Sequence, residues 1–350
     1  MLLQQIFTNP LFCIPPEIAH QLVIFALKNN LIPVNKIEIP RSLNIQVFNK
    51  LLRTPIGVAA GFDKNAEVIQ PLLSAGFGFV EVGTVTKYPQ HGNKKPRIHR
   101  LISEKAIINS LGFNNKGVDF LINKVNNIKL NHCIFGINIG FNKKSSDPIQ
   151  DCFDLVKKVY GLSNYITINI SSPNTPGLHE FQKKELLSEL LTAISEIRKL
   201  TDYAESVPIM LKISPDISDD KKQDIVDLAI KYKISGLIIS NTSSQHNKLL
   251  NTNIKIHGGL SGKPLFDLST EVLSEIYQAS QGKLLLIGCG GVSTGYHAYE
   301  KIKAGASLIQ LYTAIVYNGL NIANKISLEL ADLLAADGFP TVRHAIGHNY

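Results

Sequence analysis

The strongest constraint on the fold is an alternation of short apolar runs with longer amphipathic segments, which starts at Pro55 and continues almost to the end of the chain. Short β-rich runs followed by helical patterns are typical of repeated βα units around a parallel sheet. Eight such runs can be counted: Ile56–Ala60, Phe79–Gly83, Phe135–Ile139, Ile166–Ile170, Ile209–Ile213, Gly236–Ser240, Leu284–Gly288 and Leu308–Tyr312. Helical patterns follow them, for example at Lys184–Leu200, Asp220–Tyr232 and Ala323–Leu334.

Eight strands with eight following helices is the count of a TIM barrel, an α/β fold of about 250 residues. The span from Pro55 to roughly Leu334 has that size, and a chain of 350 residues with 44% hydrophobic content can bury a large core. We therefore predict a (β/α)8 TIM barrel with a small N-terminal helical extension. A doubly wound open sheet remains the alternative, because periodicity does not show whether a sheet closes.

Two segments lie outside this alternation. Residues 1–53 contain a predicted helix, Pro16–Leu27, with proline in its first turn. Its apolar residues cover more than one face, so the helix could cap the bottom of the barrel, lie on a membrane or surround an apolar ligand. The second segment is a long insertion, Thr84 to about Gly117, and insertions of this length usually shape a site.

Charge and cysteine content limit the binding partners and the cellular compartment that the protein can have. A formal net charge of +8 fits nucleic acid, an anionic membrane surface, acidic small molecules or a solvated lysine-rich face. The four cysteines contain no C-x-x-C pair, which favours a reducing compartment and argues against a cysteine zinc site. The longest apolar run near the N-terminus, Leu22–Leu27, is too short for a secretory signal or a membrane-spanning helix, so we expect a cytoplasmic protein.

The predicted strands end in polar or glycine-rich residues. Active sites of TIM barrels lie at the C-terminal ends of the strands, so these residues should meet. In chain order the ends are Ala59–Asn65, Gly83–Thr84, Asn138, Asn169–Asn174, Lys212, Ser240–Thr242, Gly288–Gly291 and Tyr312–Thr313. So many converging polar groups indicate a large ligand that is rich in hydrogen-bonding groups.

Glycine-rich turns and lysines suggest the chemistry of that ligand. Gly288–Gly291, together with Gly258–Gly262 and the pair Tyr312–Thr313, favours a phosphorylated cofactor, although a single glycine-rich turn can simply be a tight βα connection. Lys64 and Lys212 would face an anion, or a ring that gains negative charge, unless Lys64 pairs with a local acid such as Asp63.

Long motifs in a fixed order resemble the dihydroorotate dehydrogenases, and within them the membrane-associated, quinone-dependent class 2 enzymes. The matching stretches are Ala59–Asn65, Val80–Leu101, Ile108–Gly117, Gly136–Gly140, Asn169–Leu178, Leu211–Asp216, Ser240–Thr242, Gly258–Leu265, Gly288–Gly291 and Ala304–Ala314. The likeness covers essentially the whole chain. It implies a TIM barrel that holds FMN, oxidises (S)-dihydroorotate to orotate in de novo pyrimidine (UMP) biosynthesis, and passes the electrons to ubiquinone.

The resemblance also implies roles for individual residues. Ser172 matches the catalytic base that removes the C5 proton, with Thr175 as a relay partner. Positions matching the flavin site are Ala60, Gly61, Phe62, Asp63, Lys64, Thr84, Asn138, Asn169, Lys212, Ser240, Gly262, Gly291, Tyr312 and Thr313. Positions matching the substrate site are Lys64, Asn109, Ser110, Leu111, Gly112, Phe113, Asn169, Asn174, Asn241 and Thr242.

Serine at position 172 favours the quinone class, because the soluble class 1 enzymes that resemble this chain use cysteine there. Residues 1–53 would form a membrane and quinone-binding segment with five Lys/Arg against two acids, and residues 54–350 the catalytic barrel. By family analogy the quinone would reach the flavin near His20, Arg100 and Tyr312. The resemblance further implies a monomer without metal or nucleic acid, peripheral (monotopic) on the cytoplasmic face of the cell inner membrane.

Two other functions compete with this interpretation. A tRNA dihydrouridine synthase would explain the positive charge, but none of the four cysteines lies in the loop after strand four. A non-catalytic flavin- or phosphate-binding scaffold would tolerate Ser172→Ala without loss of any activity, whereas a dehydrogenase would lose turnover.

Overall fold

The structure is a computed structural model that describes residues 10–34, 37–126, 128, 134–175, 177–200, 207–251 and 253–350. Its strands are β1 Ile45–Val47, β2 Lys50–Leu52, β3 Ile56–Val58, β4 Phe79–Val85, β5 Ile98–Leu101, β6 Ala106–Asn109, β7 Phe135–Ile139, β8 Tyr165–Asn169, β9 Ile209–Ile213, β10 Gly236–Ile239, β11 Gly259–Gly262, β12 Leu285–Cys289 and β13 Leu308–Leu311.

Eight of these strands form a closed parallel barrel in the order β3, β4, β7, β8, β9, β10, β12 and β13. The last strand pairs with the first, with Ile309 beside Ile56, so the sheet has no open edge. The predicted TIM barrel is therefore confirmed, and the open-sheet alternative is wrong. The eight predicted strands coincide with the eight barrel strands, and their ends differ by no more than about two residues.

The barrel strands are buried at nearly every position, as parallel strands covered by helices must be. Small and large side chains alternate inside. A Cβ atom on Gly57 would lie 2.4 Å from the ring of Phe79, and one on Gly136 would lie 2.2 Å from the ring of Tyr165. The two glycines thus leave the space that the aromatic rings of the neighbouring strands fill.

Most of the helices cover the outside of the barrel, and α1 and α10 border its mouth. Their bounds are α1 Pro16–Lys28, α2 Ile69–Ser74, α3 Val118–Val125, α4 Pro148–Val159, α5 Lys184–Leu200, α6 Asp219–Lys231, α7 His246–Leu250, α8 Phe266–Ser280, α9 Gly295–Lys303, α10 Thr313–Asn318, α11 Ile322–Ala336 and α12 Val342–Ala345, with short 3₁₀ helices at Arg41–Leu43, Leu178–Gln182 and Lys263–Leu265. Within the described ranges, no helix is long and apolar enough to cross a membrane.

Two small antiparallel sheets flank the two ends of the barrel. The β1–β2 hairpin lies at the N-terminal ends of the strands, where Phe48 stacks on Tyr165 with ring centroids 4.4 Å apart. Its buried residues join the barrel core, although they precede the domain boundary expected at residue 53, which stays a prediction. The insertion before α3 forms β5 and β6, which pair with β11 into a three-stranded sheet.

The N-terminal helix α1 lies at the mouth of the barrel and not at its bottom. Residues of α1 and the C-terminal strand ends line the same cavity. Arg97, next to β5, binds the Glu17 carboxylate in the first turn of α1. The sheet formed by the insertion therefore supports α1 above the strand ends.

Candidate active site

A cavity of about 740 Å³ opens at the C-terminal ends of the barrel strands. Its wall is formed by these strand ends, by β6 and β11, and by α1. Most of the predicted site residues line it: His20, Ala60, Gly61, Phe62, Lys64, Thr84, Arg100, Asn109, Leu111, Gly112, Phe113, Asn169, Ser172, Asn174, Lys212, Ser240, Asn241, Thr242, Gly262, Gly291, Tyr312 and Thr313. The fold thus brings together residues that are up to 293 positions apart in the chain.

Four predicted residues, Asp63, Ser110, Asn138 and Thr175, lie outside this lining. Asp63 is buried behind the loop after β3 and accepts hydrogen bonds of 2.8 Å from the backbone N–H groups of the following turn. Burial raises the pKa of the Asp63 carboxyl to about 6. Asn138 accepts a hydrogen bond of 2.7 Å from Thr84 Oγ1. Asn138 therefore supports Thr84, which lines the cavity, whereas Asp63 holds the turn that leads into α2.

Asparagines surround Ser172 in the loops after β8 and β10. Asn241 Nδ2 donates to Asn169 Oδ1 over 3.3 Å, and Asn174 Nδ2 donates to the carbonyl of Asn109 over 3.1 Å. Asn174 Oδ1 is buried and has no hydrogen-bond partner among the described residues. This set offers amide donors and acceptors to a flat ring that carries both, and the unpaired oxygen is an available acceptor.

Ser172 itself lies in the cavity wall, and its hydroxyl accepts from the backbone N–H of Asn174 over 3.3 Å. Among the described residues, no side-chain hydrogen bond joins Ser172 to Thr175. The relay role of Thr175 stays a prediction.

Two lysines give the cavity its positive charge. Lys64 Nζ donates to the Gly61 carbonyl over 2.7 Å and not to the Asp63 carboxylate, so the local ion pair considered above does not form. Desolvation lowers the pKa of Lys64 to about 8. Lys212 is only 5% exposed, and no described acid forms an ion pair with it. A buried cation without a counter-ion fits a ligand that carries or gains negative charge.

Glycines allow the backbone to pack closely against neighbouring segments at the side of the cavity formed by β11 and the turn after β12. A Cβ atom on Gly291, where φ is +77°, would lie 2.4 Å from Phe266 Cα, and one on Gly262, where φ is +99°, would lie 2.4 Å from the Lys105 carbonyl oxygen. Nearby, the hydroxyls of Ser261 and Thr313 lie 2.8 Å apart. Exposed backbone and hydroxyl donors of this kind suit a phosphate group, so the residues present fit FMN.

The end of the cavity under α1 is apolar and aromatic. The His20 ring meets Phe62 edge-on with centroids 5.3 Å apart, and Phe62 meets Tyr312 in the same way at 5.8 Å. Burial, reinforced by the charge of Lys64, lowers the pKa of His20 to about 3, so its imidazole is neutral. Arg100 donates to the backbone carbonyls of Leu11 and Ile14, which holds the chain before α1 against β5.

Comparison with known proteins identifies the family. A sequence model of the family described as dihydroorotate dehydrogenase matches residues 42–334. The chain belongs to the dihydroorotate dehydrogenase family. It is 44% identical to the dihydroorotate dehydrogenase (quinone) of Parvibaculum lavamentivorans over 95% of this chain and 94% of that protein. It is 41% identical to the mitochondrial dihydroorotate dehydrogenase (quinone) of Oryza sativa subsp. japonica over 98% of this chain and 79% of that protein.

Solved dihydroorotate dehydrogenase structures have the same fold. The ligand-free enzyme of Eimeria tenella superposes with a TM-score of 0.90 at 36% identity, covering 96% of this chain and 99% of that one. The complex of the same enzyme with ferulenol gives a TM-score of 0.89 at 36% identity, with 95% of each chain covered.

One polar cluster below the cavity was not predicted from the sequence. Glu81, in β4, is fully buried inside the barrel and accepts four hydrogen bonds. The donors are Asn138 Nδ2 at 2.7 Å, Tyr165 OH at 3.0 Å, Thr167 Oγ1 at 3.2 Å and Gln310 Nε2 at 2.7 Å. A carboxylate within an otherwise apolar strand was the only signal available in the sequence.

Proposed function

We propose that the protein oxidises (S)-dihydroorotate to orotate, with FMN as the hydride acceptor and ubiquinone as the final electron acceptor, in de novo UMP biosynthesis. One observation carries the proposal. A single cavity is lined at one end by Ser172 and its asparagines, and at the other by the apolar side of α1, with Tyr312 also in its wall. Such a cavity can admit a polar substrate and an apolar quinone to the same cofactor.

The residues of the chain have distinct tasks in this reaction. Lys64 pairs with the substrate carboxylate, and the amides of Asn169, Asn174 and Asn241 hold the pyrimidine ring. Ser172 takes the C5 proton, a step in which a positioned base contributes roughly 10²- to 10⁴-fold in rate. FMN, when bound, accepts a hydride from the substrate and gives up electrons to the quinone. Lys212 stabilises the negative charge that the reduced ring carries.

The neutral state of His20 also suits an apolar acceptor. A charged imidazole beside Phe62 would have to be desolvated whenever a quinone entered, whereas the neutral ring can donate or accept a hydrogen bond at its carbonyl. Residues 1–53 are the proposed quinone and membrane segment, which holds the protein peripherally on the cytoplasmic face of the inner membrane. Deleting these residues should lower quinone reduction and leave flavin reduction by dihydroorotate largely intact.

The first experiment is an anaerobic visible spectrum of the purified protein before dihydroorotate, after it, and after a ubiquinone analogue is added. Bleaching by dihydroorotate and recovery with the quinone support both half-reactions. A bound flavin that stays oxidised would reopen the substrate assignment. Ser172→Ala should keep the flavin bound and slow its bleaching at least about 100-fold, whereas an unchanged rate would exclude Ser172 as the base.

A further inference from the structure

A buried lysine lies behind the glycine turn Gly288–Gly291. Lys301, in α9, is 0% exposed. Its ammonium group donates to Ser269 Oγ over 2.9 Å and to Thr270 Oγ1 over 3.0 Å, both in the first turn of α8. It also lies 5.3 Å from the centroid of the Phe266 ring. No described carboxylate forms an ion pair with it.

This environment disfavours a cation. Two hydroxyls and a ring face replace the hydration of an ammonium group only in part, so burial lowers the pKa of Lys301 to about 7. A largely buried lysine is normally paired with carboxylates. Lys222 in the same barrel is an example, since it is 9% exposed and pairs with the carboxylates of Asp219 and Glu275. Methionine in place of Lys301 would fill similar space without the desolvation penalty, so packing alone does not explain the charge.

The hydrogen bonds of Lys301 lead to the turn. Ser269 Oγ, which accepts from the lysine, lies 3.1 Å from the carbonyl oxygens of both Gly290 and Phe266 and shares its one proton between them. A Cβ atom on Gly288 would lie 3.0 Å from Lys301 Cδ, so the lysine stem runs along the same turn. Gly290 and Gly291 line the cavity but Lys301 does not. The ammonium group is thus connected to the turn through the Ser269 hydroxyl, on the side away from the cavity.

We propose that Lys301 is a positioning residue that makes the cavity prefer a flavin with a phosphate group over one without. A phosphate dianion at the glycine turn would favour the protonated form of Lys301, whose charge then acts on the phosphate from behind the turn. The bond of Lys301 to Ser269 helps to fix the turn that the phosphate contacts. Charges enclosed by protein are screened far less than surface charges, so the attraction persists at physiological salt. This inference rests on the proposed function only in requiring that a flavin binds.

The test is an equilibrium competition between FMN and riboflavin for the purified holoenzyme, followed by flavin fluorescence. In Lys301→Met, the preference for FMN over riboflavin should fall about tenfold or more, because one buried charge is lost near a dianion. Riboflavin affinity should change by less than about twofold. Lys301→Gln, which can still hydrogen-bond to the hydroxyls, should lose the preference too, and it replaces the methionine variant if that one does not fold.

Lys222→Met is the matched control, since it also removes a largely buried lysine, but one whose ammonium group pairs with Asp219 and Glu275 and makes no described hydrogen bond toward the glycine turn. This control variant should keep the ratio of FMN affinity to riboflavin affinity at the wild-type value. Equal weakening of both flavins in Lys301→Met would show a merely structural role and overturn the inference, as would an unchanged ratio. If the wild-type protein binds neither flavin, the proposed function fails as well, so the two failures are distinguishable.

Discussion

The guanidinium group of Arg97 binds the carboxylate of Glu17 at two points, with Nη2 2.5 Å from Oε1 and Nε 3.2 Å from Oε2. Arg97 is only 5% exposed and also donates to the carbonyls of His91 and Asn93. The two residues are 80 positions apart and join α1 to the insertion before β5. This ion pair therefore helps to hold α1 over the mouth.

Glu17→Gln should loosen α1 and impair the quinone half-reaction. The change leaves the buried Arg97 charge without its partner, which costs about 2 kcal/mol locally for a pair that is partly exposed. We expect a higher KM for a ubiquinone analogue and an unchanged rate of flavin reduction by dihydroorotate in stopped flow. Lys28→Ala is the control, because its pair with Glu67 spans 3.4 Å and the lysine is half exposed. Identical quinone kinetics in Glu17→Gln and wild type would contradict the role of the pair.

The barrel could be predicted because its strands are covered on both faces and so appear as continuous apolar runs at regular spacing. The three-stranded sheet could not be predicted in this way. Its strands β5 and β6 are short and lie in an insertion rich in Gly, Pro and Lys, and β6 pairs with β11 about 150 residues later, with Asn109 beside Gly259. A local pattern carries no information about a partner at that distance.

The site residues that could be predicted differ from the others in their place on the barrel strands. Ser172 and Lys212 follow or end strands, so the barrel topology alone brings them to one mouth. Glu81 and Gln310 are polar residues inside strands, and their contact depends on which side chains point into the barrel at the same level. In the sequence, Lys301 is one of several lysines of an amphipathic helix, and only the packed structure shows that it is buried.

Orotate affinity should fall as the pH rises through about 8. Lys64 has a pKa lowered to about 8, so it is largely protonated at pH 7 and loses its charge above that value. The carboxylate of orotate would then lose its cationic partner, and its Kd should rise up to tenfold per pH unit. The measurement is a titration of the flavin absorbance change with orotate between pH 7 and 9.5.

Lys64→Arg supplies the control for this pH dependence, since a guanidinium group stays charged throughout the range. Its orotate affinity should be flat with pH even if it is weaker at pH 7. A wild-type orotate Kd that does not change across pH 8 would contradict the prediction. A rise of the Kd near pH 8 that persists in Lys64→Arg would assign the titration to another group.

Removal of the Glu81 carboxylate should destabilise the barrel and weaken flavin binding together. In Glu81→Gln, the new amide donor faces groups that donated to the carboxylate, so at least one buried donor loses its acceptor. This loss should lower the free energy of unfolding by about 2 to 4 kcal/mol. Because Asn138 donates to one carboxylate oxygen and Gln310 to the other, one of these two amides loses the bond that orients it. We expect a lower urea midpoint of the holoenzyme and faster flavin release on dilution. Glu189→Gln, on the exposed side of α5, should alter neither, and a stable, flavin-retaining Glu81→Gln protein would contradict the assignment.

The exposed face of α1 should attach the protein to membranes. Ile18, Leu22 and Phe25 are 49%, 48% and 59% exposed and, four and three residues apart, form one stripe, of which Leu22 and Phe25 also border the cavity. Burying their exposed parts in a lipid interface would contribute roughly 1 kcal/mol each, so replacing all three with serine should weaken vesicle binding about 100-fold. Cosedimentation with anionic phospholipid vesicles measures this. Leu328→Ser, 42% exposed on α11, should bind like wild type. Equal binding by the triple variant would exclude this stripe, since the partition would then depend on residues elsewhere.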